Sequence, residues 1–287
     1  VEAMSQTDDS VSTDTANAYR GFPVEACYAA GLEALNKGDL EAANAWAMRC
    51  EAASDSGTDA RCVMLRGLIA TEAGDLEAAV NYLSQALQLA PADVTIARRL
   101  GEVLATNGAW SEAAETLEQA AVSTPDDADL LVDLGYACMM SNDRLRARAA
   151  LERAASLRAR DAAIQYALAQ FYEALGELAL AAAVLISVTQ YAASPRLLSD
   201  LTLLLLRLGR WDEAEASFIR LQRLDRDHDL IAQHGQIWCR IQRQDWRGAF
   251  DLALEATRLD RYDLTTALLT YVKDQLFGRV PDTVRRE

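Results

Sequence analysis

Lysine is almost missing from this chain: of 28 basic residues, only Lys37 and Lys273 are lysine. Histidine occurs twice and proline five times. Each scarcity excludes something. His228 and His234 lie six residues apart, which puts them on different faces of a helix, and Cys239 does not complete a cage around them. No metal site is therefore expected. The sequence contains no phosphate-binding glycine loop, no G-x-S-x-G and no H-E-x-x-H. No catalytic residue and no cofactor is assigned, and the chain is not expected to be an enzyme. Few alternating runs of Val, Ile and Thr occur, so an all-α fold is the expected class. Aromatics are 7% of residues against 51% hydrophobic, so the core is expected to be mostly Ala, Leu and Val. No apolar run approaches the roughly 18 residues that a membrane span needs.

The N-terminal VEAMSQTDDSVSTDT has no basic start and no apolar segment, so it does not read as a signal peptide. A chain whose signal had been removed would read the same. The expected location is the cytoplasm, with the periplasm as the alternative. Residues 1–22 are polar and acidic, without periodicity, and are expected to be disordered.

Bases are scarce in one half only. Residues 1–143 carry 24 acids and 7 bases, a net −17; residues 144–287 carry 19 acids and 21 bases, a net +2. A strongly acidic surface repels phosphate backbones, which argues against nucleic acid as a partner. Five cysteines, Cys27, Cys50, Cys62, Cys138 and Cys239, form an odd set with no zinc spacing. They are expected to be unpaired thiols in helix packing.

What the sequence has in abundance is repetition. GDLEAAVNYLSQALQLAPAD (Gly74–Asp93) returns 34 residues later as GAWSEAAETLEQAAVSTPDD (Gly108–Asp127), and again as GRWDEAEASFIRLQRLDRDH (Gly209–His228). Gly38, Gly74, Gly108, Gly176 and Gly209 share one column, and near Asp143 and Asp245 polar residues stand in for the missing turn glycine. Gly31, Gly67, Gly101 and Gly135 form a second column seven residues earlier. Ala43, Ala79, Ala113, Ala147, Ala181, Ala214 and Ala249 form a third. No proline falls inside a helical stretch. Each unit reads as two amphipathic helices of about 13 residues joined at a turn glycine. Small residues in fixed columns let helix backbones approach, and a large neighbour fills the hollow. A single unit cannot bury its apolar face, so the units must stack.

The pattern resembles the tetratricopeptide repeat family. Its signature is visible as Leu100-Gly101, Ala113, Leu117, Ala120 and Pro125, and again as Leu134-Gly135, Ala147, Leu151 and Ala154. The resemblance covers residues 24–263 in seven units, starting near Val24, Ala60, Val94, Ala128, Ala162, Pro195 and Leu230. It implies a right-handed superhelical solenoid of antiparallel helix pairs. The domain reading is a tail at 1–22, seven repeats over 23–263, a capping helix at 264–278 and a tail at 279–287. The cap follows from the need to cover a terminal apolar face. A partner or dimer surface is the other reading of that helix.

The resemblance also implies that the first helix of each unit lines a concave groove through positions 2, 5, 9, 12 and 13. Those positions hold Tyr28, Leu32, Leu35 and Asn36, then Arg61, Met64 and Leu68, then Arg98 and Glu102. They continue with Val132, Tyr136, Met139 and Met140, then Tyr166, Gln170 and Glu173. Leu203 and Arg207, then His234 and Trp238, complete the set. Members that clamp a carboxylate use Lys and Asn where Tyr28 and Leu32 stand, so that clamp is not expected. Val132, Tyr136, Met139, Met140 and Tyr166 read as an adaptable apolar patch suited to an amphipathic helix or extended apolar segment. The alternative is that such side chains pack between neighbouring first helices. The arginine run Asp143–Arg160 reads as a solvated convex face, with binding as the alternative. DRDHDL (Asp225–Leu230) starts like a calcium loop but lacks the glycine and the final glutamate, so it reads as an inter-repeat loop.

The function implied is a non-catalytic scaffold or adaptor that holds a peptide or helical segment of a partner protein. A dedicated chaperone for an apolar secretion or pilus subunit, and a regulatory subunit of an enzyme, are the rival readings.

Overall fold

The computed structural model describes residues 23–54, 59–224, 229–259 and 263–277. The two tails, most of the loop after the first unit and the Asp225–His228 part of the calcium-like motif lie outside the described residues.

The described residues form fifteen α-helices and no strand. Four hairpins pair α1 (Val24–Asn36) with α2 (Leu40–Ala53), α3 (Ala60–Glu72) with α4 (Leu76–Leu89), α5 (Val94–Thr106) with α6 (Trp110–Ser123), and α7 (Ala128–Met140) with α8 (Arg144–Leu157). Three more pair α9 (Ala162–Ala174) with α10 (Leu178–Tyr191), α11 (Pro195–Arg207) with α12 (Trp211–Leu224), and α13 (Asp229–Gln242) with α14 (Trp246–Leu259). A last helix, α15 (Asp263–Phe277), follows. Six first helices begin at the residue the columns select, and α13 begins one residue earlier.

Aspartates start many of these helices. Asp59, Asp93, Asp127 and Asp161 recur every 34 residues, and each accepts a hydrogen bond from a backbone N–H in the first turn of α3, α5, α7 or α9. Asp39 and Asp75 do the same for α2 and α4. A carboxylate there satisfies orphan donors and complements the helix dipole. Before α6 the corresponding residue is Ala109, which offers no side-chain cap.

The turn column has a backbone cause. Gly38, Gly74, Gly108, Gly176 and Gly209 all take φ between 69° and 80°. Where glycine is missing, Asn142 (φ 64°) and Gln244 (φ 61°) occupy that left-handed conformation. The second glycine column marks close contact. A Cβ on Gly67, Gly101 or Gly135 would meet Leu83, Leu117 or Leu151 of the same hairpin, in each case inside ordinary van der Waals distance. The first hairpin departs from this: Ala47 stands at the leucine position, and Gly31 is covered by Leu65 of the second hairpin.

The chain divides into two compact units, Val1–Leu157 and Arg158–Glu287, where the sequence suggested one array. In a repeat stack each hairpin touches only its neighbours, so a division falls naturally between hairpins. The first unit holds α1–α8 and the second α9–α15. In the second unit α15 lays Val272, Leu268, Leu269 and Leu276 over Ile237, Ile241, Ala249, Ala253 and Ala256. It thereby covers the apolar side of α13 and α14.

The cysteines correct an expectation. Cys50, near the end of α2, and Cys62, at the start of α3, form a disulfide with Cα atoms 5.4 Å apart. Cys27, Cys138 and Cys239 are free and buried. An odd count hides a pair when one thiol of a cluster is left over: Cys27, Cys50 and Cys62 all pack together.

Candidate functional site

The first helices of successive hairpins lie beside one another within each unit. Their outward side chains are the set that the sequence nominates for binding. The structure divides that set into residues tied between hairpins and residues left presented.

In the first unit the ties are regular. Arg61 Nη1 donates to Glu25 at 2.7 Å, one hairpin back. Tyr28 Oη donates to the Met64 sulfur at 3.5 Å, and Met64 is buried. Arg98 Nε donates to Asp133 at 2.9 Å. Burial still pushes the Asp133 carboxyl above the usual carboxylate range, against the pull of Arg98. Burial also raises the Tyr28 phenol. Arg99 donates to Glu102 within α5. Leu32 and Leu35 pack partly buried against Ala34, Ala43, Ala47, Leu65 and Ile69. Leu68 is partly buried, and Asn36 is exposed.

Toward the other end of this unit the face opens. Tyr136 is 50% exposed and Met140 45% exposed, while Val132 and Met139 are half-buried beside them. Trp110, the first residue of α6, meets the Tyr136 ring edge-on with centroids 5.7 Å apart. The sequence reading missed Trp110. Its signal was register: Trp110, Trp211 and Trp246 each stand two residues after the turn position.

In the second unit the ties recur. Tyr166 Oη donates to Asp200 at 2.7 Å, and the Arg196 guanidinium lies over its ring at 5.3 Å. Burial, then the bond to Asp200, raises the Tyr166 phenol. Tyr166 is thus engaged within its own unit, a correction to its place in the apolar patch. Arg207 Nη1 donates to Glu173 at 2.6 Å, and Gln170 is exposed. His234 Nε2 lies 2.6 Å from the Thr265 hydroxyl of α15, which is fully buried. Leu203 and Trp238 are presented, 59% and 46% exposed, with Ile231 beside them in register at 61%.

The arginine-rich α8 spends much of its charge locally. Arg146 pairs with Asp143 and Glu118, Arg153 with Asp126, and Arg148 lies 3.9 Å from Glu152. Among the described residues no group of three or more His, Cys, Asp or Glu is placed to hold a metal ion. No helix there is long and apolar enough to cross a membrane.

Comparison with known proteins agrees with this architecture. The tetratricopeptide repeat family matches residues 70–134 through one of its models and residues 197–230 through another. No curated protein matches the chain. Among solved structures, PilF of Pseudomonas aeruginosa is 18% identical, with a TM-score of 0.57 over 72% of this chain and 92% of its own. MamA of Desulfovibrio magneticus RS-1 is 21% identical, with a TM-score of 0.51 over 62% of this chain and 94% of its own. A tetratricopeptide repeat protein of Parabacteroides merdae ATCC 43184 is 14% identical, with a TM-score of 0.56 over 87% of this chain and 98% of its own. At such identities the likeness is one of fold alone. With glycine–leucine joints, left-handed turn residues and two matching family segments, this chain carries tetratricopeptide repeats.

Proposed function

We propose that this protein is a non-catalytic adaptor that holds a segment of a partner protein on its first-helix faces, and so assembles or localises a complex. The observation that carries the reading is the presentation of Tyr136 and Met140 on α7, with Trp110 against the tyrosine ring, on a face where Tyr28, Arg61, Arg98 and Glu102 are tied. Tyrosine and tryptophan bury large area at low entropic cost, and methionine adapts to irregular apolar surfaces. The segment that fits is an amphipathic helix or an extended apolar stretch.

Charge adds a preference. The unit carrying this face, residues 1–157, has 25 acids and 11 bases, a net −14. A segment with basic flanks gains association rate from that field, and salt removes the gain. Nucleic acid is disfavoured on the same ground. The Cys50–Cys62 disulfide favours an oxidising compartment over the cytosol, which supports the periplasmic alternative.

The experiment is affinity capture on the whole chain, followed by binding kinetics with the captured partner. Burying a large side chain is worth roughly 1.5–3 kcal/mol. Tyr136→Ala or Met140→Ala should therefore speed dissociation on the order of tenfold, one decade being about 1.4 kcal/mol. Added salt should slow association instead. Unchanged dissociation in both variants, with helix content intact, would remove this face from the reading.

A further inference from the structure

We propose that the Cys50–Cys62 disulfide is a lock on the first hairpin, and that its reduction releases α1 and α2 from the second hairpin while the rest of the unit stays folded. The first hairpin's buried residues are Cys27, Gly31 and Ala34 on α1, and Ala43, Ala47 and Cys50 on α2. Each of these is small. The fourth hairpin, by contrast, buries Leu130, Leu131, Leu134 and Leu151. The large buried side chains at the first seam, Leu65 and Ile69, come from α3 and not from the hairpin they hold.

Hydrophobic stabilisation follows apolar area, so a hairpin that buries only glycine, alanine and cysteine, with Leu32, Leu35 and Trp46 partly covered, docks less firmly than one that buries leucine. It is also the terminal described repeat and, among the described residues, has a neighbouring hairpin on one side only. The polar ties across the seam are Tyr28 to Met64, Arg66 to Glu51 and Arg61 to Glu25, and the two ion pairs among them are partly exposed and add little. The remaining restraint is covalent, and it sits at the seam itself, between the end of α2 and the start of α3.

Reduction is balanced as follows. A dithiol reductant gives two electrons and two protons to the Cys50–Cys62 bond. That bond breaks, two thiols form, and the dithiol closes to its own disulfide. Leu65 and Ile69, 0% and 6% exposed in the locked state, lose their cover when the hairpin leaves. Both sulfurs are buried, so the reductant meets the bond during openings of the seam, and the bond in turn makes those openings rarer.

Hydrogen–deuterium exchange on the full chain tests this, with dithiothreitol as the reductant and intact mass reporting the bond. Reduction should speed exchange in residues 24–53 on the order of a hundredfold, the scale of the loop-closure entropy that a short cross-link removes. Exchange in α5 and α6 should stay as it was. Cys50→Ala/Cys62→Ala, whose first change matches the column of Ala86, Ala120 and Ala154, should exchange at the fast rate without reductant and ignore its addition. Cys27→Ser should keep the reductant response. Unchanged exchange in residues 24–53 after verified reduction, acceleration spread equally over α5 and α6, or five free thiols in the protein as purified from an oxidising compartment would each overturn the proposal.

Discussion

Gly135 on α7 sits against Leu151 on α8, and adding one methyl group there sets two effects of known size against each other. A Cβ on Gly135 would lie 2.5 Å from Leu151 Cγ, 2.8 Å from Cδ2 and 3.3 Å from Cδ1. Carbon atoms prefer about 3.5–4.0 Å. Gly135→Ala gains about 1 kcal/mol of helix propensity. It loses about 1–3 kcal/mol by forcing Leu151, only 3% exposed, out of a well-packed place. The net is a loss of up to about 2 kcal/mol. Leu151→Ala alone leaves a cavity and costs about 2–5 kcal/mol. Together the two changes should be less harmful than their sum, because the clash disappears and the new methyl enters the hollow. The coupling should be about 1–3 kcal/mol, well above the 0.3–0.5 kcal/mol scatter of independent sites. Urea unfolding followed by far-ultraviolet circular dichroism measures all four corners, provided the slope with urea stays constant. Additivity within about 0.5 kcal/mol would show that this column is not held by glycine–leucine contact, and the packing account of the whole repeat would fall with it.

Two further outcomes follow from the helix starts. Ala109→Asp supplies the cap that Asp39 and Asp75 give to α2 and α4, and should stabilise the chain by about 1 kcal/mol, read as a rise in melting temperature. A neutral result would mean that water already serves those N–H groups. Asp59 is held below its ordinary value chiefly by the side-chain hydrogen bond from Arg61. A depressed carboxyl contributes stability above its unfolded value and loses it as pH falls through the folded one. Asp59→Asn should thus narrow the stability gap to wild type as the solution is acidified to roughly pH 4 and below, and a constant gap would refute the assignment.

The fold was legible because glycine and alanine columns recur at a fixed period, and each has one physical cause, a left-handed turn or a close helix contact. Where Asn142 and Gln244 replace the turn glycine the column breaks, yet the backbone keeps the conformation. The face of the first helices was less legible. Position alone cannot say whether Tyr166 or Tyr136 is presented, since that depends on what stands in the neighbouring hairpin: an acid, Asp200, for the first and an indole, Trp110, for the second. The disulfide was hidden by arithmetic, because three cysteines from three helices meet at one seam and only two of them bond.

Two kinds of joint hold the hairpins, and they differ in what they permit. The contact of Gly67 with Leu83, of Gly101 with Leu117 and of Gly135 with Leu151 is internal to its hairpin and identical in kind, so the second, third and fourth hairpins each carry their own. The ties from Arg61 to Glu25, from Tyr28 to Met64 and from Arg98 to Asp133 each need one particular neighbour. Exposed ion pairs among them are worth about 0.2–1 kcal/mol apiece, too little to decide whether the unit folds. They are enough to rank one neighbour over another. A shuffled gene that exchanged the second and third hairpins would keep these three internal contacts, set Arg98 beside Tyr28 rather than Asp133, and part Leu65 from Gly31 and Cys62 from Cys50. Such a chain should still fold into repeats while losing its preference for their sequence of assembly, so the serial order of the second to fourth hairpins is written in the polar ties, and that of the first two also in the disulfide and the cover of Gly31.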